Sequence, residues 1–234
     1  MGLGSMVAGA AVNAAASAAA KKAEMKKLLK GRTPDQQKVI KYFYDDKGCF
    51  KKVISDEEYE SMVMAKAKSI DFKKKALDKI GLDESEVSEV TPIHFEEYYY
   101  SDEKDKTKTY AKPGKDRLWR SSAYQISWVF FSSTQVYVYQ YTFNMDEDGK
   151  KEDTQEYFYK DITNFSTTSD TVEKEVPIKT SCTGNTTYAR TSVDKNSFMI
   201  SAMGDKLYCA MKQNDYTEKA IQGMKAKLRE KKGA

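Results

Sequence analysis

The sequence predicts an α+β protein: a helical N-terminal region, then an antiparallel β-barrel or sandwich capped by a C-terminal α-helix. Three observations carry this. Up to about Val90, apolar residues recur at helical spacing behind N-cap signals. From Pro92 the hydrophobic period falls to two. The segment after Asp215 then places Ala220, Ile221, Met224 and Leu228 on one stripe, with lysines and Arg229 opposite. Aromatic residues follow the same division, for none precedes Tyr42 and eighteen of the 28 lie between Phe95 and Phe165.

Residues 1–32 read as an Ala/Lys-rich tail, 33–90 as a helical region and 91–234 as the β domain with its closing helix. Ten alanines between Ala8 and Ala23 favour a long tail helix that Gly31 ends. The uncharged first twenty residues approach the length of a membrane span, but Ala, Gly, Ser and Asn replace the Leu, Ile, Val and Phe of a spanning helix. No positive residue precedes that run, so a secretory signal is not indicated. Gly2 and Ser5 resemble a myristoylation start that Met6 leaves incomplete.

Thr33-Pro34-Asp35-Gln36 combines a hydroxyl N-cap, a first-turn proline and a Gln that closes a capping box, predicting a helix to about Tyr44. Asp45 to Gly48 is turn chemistry. Ser55 to Glu58 is a second box, followed by Tyr59, Met62, Val63, Ala67 and Ile70 and then Ala76, Leu77 and Ile80 before Gly81. One helix or two fit, with Ile70-Asp71 the place to break.

Strands are expected at Ile93 to Tyr100, Ser122 to Ser132, Gln135 to Met145 and Gln155 to Lys160. Further strands are expected at Asn164 to Thr168, Glu175 to Thr180, Thr186 to Ser192, Ser197 to Met203 and Lys206 to Lys212. Ser133-Thr134, Asp146 to Gly149 and Gly204-Asp205 supply tight turns. In the third strand Tyr137, Tyr139, Tyr141 and Phe143 share a face, while Val136, Val138, Gln140 and Thr142 share the other. The tyrosine row reads as packed core rather than a base-stacking platform. Asp215 and Glu218 form a box-like start to the last helix.

Charge and composition exclude several functions. The net charge of +4 comes from the tail, which carries +5 up to Arg32, so no strongly basic nucleic-acid-binding domain is indicated. Cys49, Cys182 and Cys209 are widely spaced and read as reduced thiols without zinc or disulfide spacing. His94 is the single histidine, so no two-imidazole site exists, and its strand context favours a solvent-side or capped ring. The acidic clusters lack calcium-loop spacing, and no glycine-rich phosphate loop is present. Asn164-Phe-Ser and Asn185-Thr-Thr fit a glycosylation triplet that carries no weight in a reducing compartment. No catalytic residue, metal or cofactor is expected.

Tyrosine-rich antiparallel strands closed by one amphipathic helix resemble the pleckstrin-homology-like (PH-like) fold over residues 91–232. Glu156-Tyr-Phe-Tyr-Lys-Asp-Ile-Thr-Asn-Phe165 looks like the strand-and-turn stretch of bacterial PH-like domains, and Phe198 to Met211 with Ala220 to Leu228 is similar to their last hairpin and helix. The resemblance implies a non-catalytic binding module that recognises a protein or peptide partner, and the widely spaced, reduced cysteines fit a cytoplasmic location. An alternative is a peripheral protein at the inner face of the membrane, docking anionic phospholipid. Its contacts would come from the 101–121 loop, with Lys104, Lys106, Lys108, Lys112, Lys115, Arg117 and Arg120, although the family's spacing is not reproduced and a solvated polar loop is the plainer reading. Lys21, Lys22, Lys26, Lys27 and Lys30 would let the tail touch a membrane or support a homo-oligomer, against the plainer reading of a solvated helix.

Overall fold

The computed structural model describes residues 23–44, 53–87, 90–101, 109–180 and 186–233, with backbone alone at 174–180 and 186–189. Helix α1 is described over 23–29 and is followed by α2 (Pro34–Tyr44), α3 (Asp56–Lys68) and α4 (Phe72–Ile80). Gly31 and Gly81, at φ +79°, stop α1 and α4 in the left-handed conformation that glycine adopts without strain. The Thr33 capping box is reciprocal: Thr33 N–H donates to Gln36 Oε1 at 2.9 Å and Gln36 N–H to Thr33 Oγ1 at 3.3 Å. Ser55 caps α3, and Asp71 accepts from Lys74 N–H at 3.0 Å, so the chain breaks into two helices at Ile70-Asp71. The Asp45 to Gly48 turn lies outside the described residues.

Nine strands follow among the described residues, all paired antiparallel. β1 (Ile93–Tyr99), β4 (Ala123–Phe131), β5 (Gln135–Asn144) and β6 (Lys150–Phe158) form a central sheet in the order β1-β4-β5-β6. β7 (Ile162–Thr180), β8 (Thr186–Ala202) and β9 (Asp205–Ala210) form a second sheet, and β2 (Ala111–Pro113) with β3 (Trp119–Ser121) forms a hairpin. Helix α5 (Asp215–Gly233) ends the described chain.

The expected barrel does not close. Ala210 N–H donates to Gln125 Oε1 at 2.7 Å, and Gln140 Nε2 donates to the Tyr208 carbonyl at 2.8 Å. Two glutamine side chains of the central sheet thus satisfy the free edge of β9, and β9 needs no partner strand there. Three smaller expectations also change. The expected strands at 164–168 and 175–180 are one β7, and those at 186–192 and 197–203 are one β8. Their Ser, Thr, Asn and Asp side chains bond across the ribbon instead of turning the chain, as in Ser169–Asn196 at 2.6 Å and Thr171–Asp194 at 3.0 Å. The 101–121 loop contains β2 and β3. Asn214, not Asp215, caps α5, exchanging 3.0 Å bonds with Thr217.

The central strands β4 and β5 are buried on both faces. Tyr124, Ile126, Phe130, Tyr137, Tyr139, Tyr141 and Phe143 pack against Val39, Tyr42 and Phe43 of α2, Tyr59 and Val63 of α3 and Phe72 and Ala76 of α4. Phe72 meets Tyr141 at 5.1 Å between ring centroids, and Tyr59 O–H donates to the Ser121 carbonyl at 2.6 Å. The tyrosine row is therefore core. On the opposite face Phe95, Val129, Phe131, Val136 and Val138 meet Phe165, Phe198 and Ile200 of the second sheet and Ile221, Met224 and Leu228 of α5. The result is three layers: helices, central sheet, and second sheet with α5.

Because α4 and the sheet share one core, Phe72→Ala should lower stability by about 3 kcal/mol in urea denaturation while a single transition persists. A loss below about 1 kcal/mol, or a second transition, would show that the helices are not part of the same cooperative unit.

Candidate functional site

Strand β1 is an outer strand of the central sheet, and it borders a cleft of about 1040 Å³. Backbone alternation decides what the strand offers. His94 N–H donates to the Tyr216 hydroxyl at 3.5 Å and Tyr98 N–H to the Glu97 carboxylate at 2.8 Å, so this parity faces away from β4. Glu96 lies between them on the same parity, and its N–H and C=O have no bond among the described residues. Leu118, Tyr208 and Tyr216 stand on the rim of the cleft at 64%, 44% and 48% exposure, large apolar surfaces left in water.

The cleft exists because one sheet face changes character along its length. On the side facing the second sheet, Val136 and Val138 of β5 give way to Gln140 and Thr142, and Val129 of β4 to Ser127 and Gln125. The apolar half fills the sandwich. The polar half, with Gln125 and Gln140 bonded to β9, lines the opening. Burial pushes the Glu97 carboxyl up, against the Tyr98 N–H and the nearby Lys212 charge.

One wall is the β2–β3 hairpin, fixed by Arg120. Its side chain is only 4% exposed and donates to Asp116 at 2.9 and 2.8 Å and to Glu60 of α3 at 3.3 Å, while its buried Nε has no partner. The Arg120 hydrogen bond pulls Asp116 down to about 2. Burial pushes Asp56 up, but bonds from Lys115 N–H (2.7 Å) and Tyr42 O–H (2.8 Å) and the Arg120 charge outweigh it, leaving the carboxyl below its usual range. Gly114 turns the hairpin where any Cβ would collide with the Arg120 guanidinium.

The basic residues of the 101–121 loop are not brought together. Lys112 donates to the Tyr42 carbonyl at 2.6 Å and sits 3.5 Å from the centre of that ring, and Arg120 is enclosed as described. Both charges serve internal contacts. Lys115 and Arg117 are exposed, with Arg117 at φ +65° on the cleft rim, and Lys104, Lys106 and Lys108 lie outside the described residues. Lys26, Lys27 and Lys30 are exposed on and just after α1, and Lys21 and Lys22 are outside the described residues.

His94 stacks on Trp128 at 5.1 Å and lies 5.6 Å from Tyr216, between ring centroids. Strand alternation puts its ring and the Glu97 carboxylate on opposite faces of β1, so the two do not converge. Among the described residues no group of three or more His, Cys, Asp or Glu is placed to hold a metal. Cys209 is fully buried, and burial pushes its thiol up to about 12; Cys49 and Cys182 lie outside the described residues. No helix among the described residues is long and apolar enough to cross a membrane.

Comparison with protein-family models, with curated proteins and with solved structures finds no match for this chain. The geometry itself is what speaks to function.

The buried Glu97 gives a pH dependence of definite sign. Its folded-state value is raised, so the folded protein holds the proton longer and stability falls as pH rises through that value. Glu97→Gln should therefore raise the urea midpoint at about pH 8 and leave it unchanged near pH 4, the ordinary glutamate range. An equal effect at both values would show that the carboxylate is solvated.

Proposed function

We propose that this protein is a non-catalytic recognition module that takes an extended segment of a protein or peptide partner along the outer edge of β1. A sheet edge with unpaired N–H and C=O groups is a template for strand addition, in which backbone bonds supply affinity and alternate side chains supply selectivity. The observation that carries the reading is the unpartnered Glu96 backbone, set in a cleft rimmed by Leu118, Tyr208 and Tyr216. The reading agrees with the binding role that the PH-like resemblance of the sequence implies, and with the reducing, cytoplasmic setting that the cysteine usage suggests. Exposed Lys26, Lys27 and Lys30 support its second part, in which α1 aids self-association or membrane proximity.

Glu60, Glu96 and Glu97 are among the residues bordering the cleft, Glu96 and Glu97 from opposite faces of β1, and the aromatic rim offers flat apolar surface. Extended peptides that alternate apolar and basic residues fit this lining.

A random linear peptide library displayed on phage and selected against the full chain tests the reading. Selected peptides should slow hydrogen exchange at the Glu96 amide. Glu96→Pro removes that outward N–H without removing a bond to β4, and should weaken them by about tenfold or more. Peptides that bind equally well to the Glu96→Pro variant, or a library that yields no binders, would contradict it.

A further inference from the structure

We propose that a second cleft, between the C-terminal half of α5 and the start of β7, binds a phosphate-bearing anion. The cleft measures about 430 Å³, within the size range of small-molecule sites. Lys225, Arg229 and Lys232 form one wall, Thr163 and Asn164 the other, and the buried Leu228 closes the base. Among the described residues no acidic side chain lines it.

Three features single this cluster out from the other cations of the helix. Residues at i, i+4 and i+7 share one helix face, so the three charges are held side by side. Their neighbours are neutralised or packed: Lys227 pairs with Glu230 at 2.9 Å, and Lys231 lies 5.8 Å from the centre of the Tyr159 ring. Lys225, Arg229 and Lys232 have no ion pair or hydrogen bond among the described residues. The helix dipole does not explain them, since its pull fades within the last turn and Lys225 and Arg229 lie before it.

The facing wall is shaped for the same purpose. The β7–β8 register shifts between Ile162 and Asn164, which leaves Thr163 as an extra residue without a partner in the ladder. A bulge of this kind re-aims side chains, and here it brings Thr163 and Asn164 to the cationic wall. The Thr163 hydroxyl donates to the Ser201 carbonyl at 3.0 Å, while the exposed Asn164 carboxamide is left to donate to a ligand. A guanidinium, two ammonium groups and an amide N–H₂ around one cavity match the several acceptor oxygens and double charge of a phosphate group.

Titration of the full chain with inorganic pyrophosphate at low salt tests the site, with a parallel arm using phosphatidylcholine vesicles with and without phosphatidylglycerol. Pyrophosphate should bind, shift the backbone amide resonances of Thr163 and Asn164, and lose about tenfold or more in affinity in the Lys225→Gln, Arg229→Gln double variant. Asn164→Ala, which truncates an exposed side chain, should cost about threefold and serves if the double variant does not fold. Vesicle binding that requires phosphatidylglycerol and is lost in the same variants assigns a lipid headgroup; pyrophosphate binding alone assigns a soluble phosphate ligand. Absence of binding in both arms, or binding that survives these substitutions, overturns the proposal.

Discussion

The structure depends on two central strands, β4 and β5, that are covered on both faces. Antiparallel sheets commonly leave one face to water, and such strands alternate apolar with polar residues. Here β4 and β5 are buried almost throughout, with mainly aromatic side chains toward α2, α3 and α4, and Val129, Phe131, Val136 and Val138 toward the second sheet and α5. Strands covered in this way leave a partner the outer strands of the sheet or a gap in the cover. Both occur at β1.

The gap arises from a local choice of residue type. Had Gln125, Gln140 and Thr142 been aliphatic, the second sheet would pack down the whole length of β4 and β5. Glutamines instead bond the edge of β9, holding the two sheets together with polar contacts and leaving space beside them. The hairpin β2–β3 borders that space, locked through Arg120 and Asp116 and joined to α3 through Asp56 and Glu60. The helical layer thus reaches the cleft as well as the core.

Much of this was legible in the sequence. The Thr33-Pro34-Gln36 and Ser55 signals placed two helices, because a cap is a contact between near neighbours. The period-two pattern placed β1, β4 and β5 within a residue or two, and the Tyr137 to Phe143 row was assigned to core. The change from Val136 and Val138 to Gln140 and Thr142 was visible too, but what those glutamines bond, the edge of β9, is some 70 residues distant in the chain. Barrel closure was a global property that strand order alone does not decide. The hairpin in the 101–121 loop carried one local signal, Pro113-Gly114, a turn dipeptide masked by the surrounding charges. Arg120 read as a solvent-facing cation because its partners Asp116 and Glu60 converge on it only in the folded chain. The cationic cleft on α5 was half legible: the stripe of lysines was plain, and the bulge at Thr163 was not.

The central claim is that β1 presents an open backbone edge beside the cleft. Native-state hydrogen exchange on the free protein measures it residue by residue. The Glu96 amide should exchange about a hundredfold faster than those of Phe95 and Glu97, which face β4. Equal protection at all three would mean that another part of the chain already occupies the edge, and the account would fail.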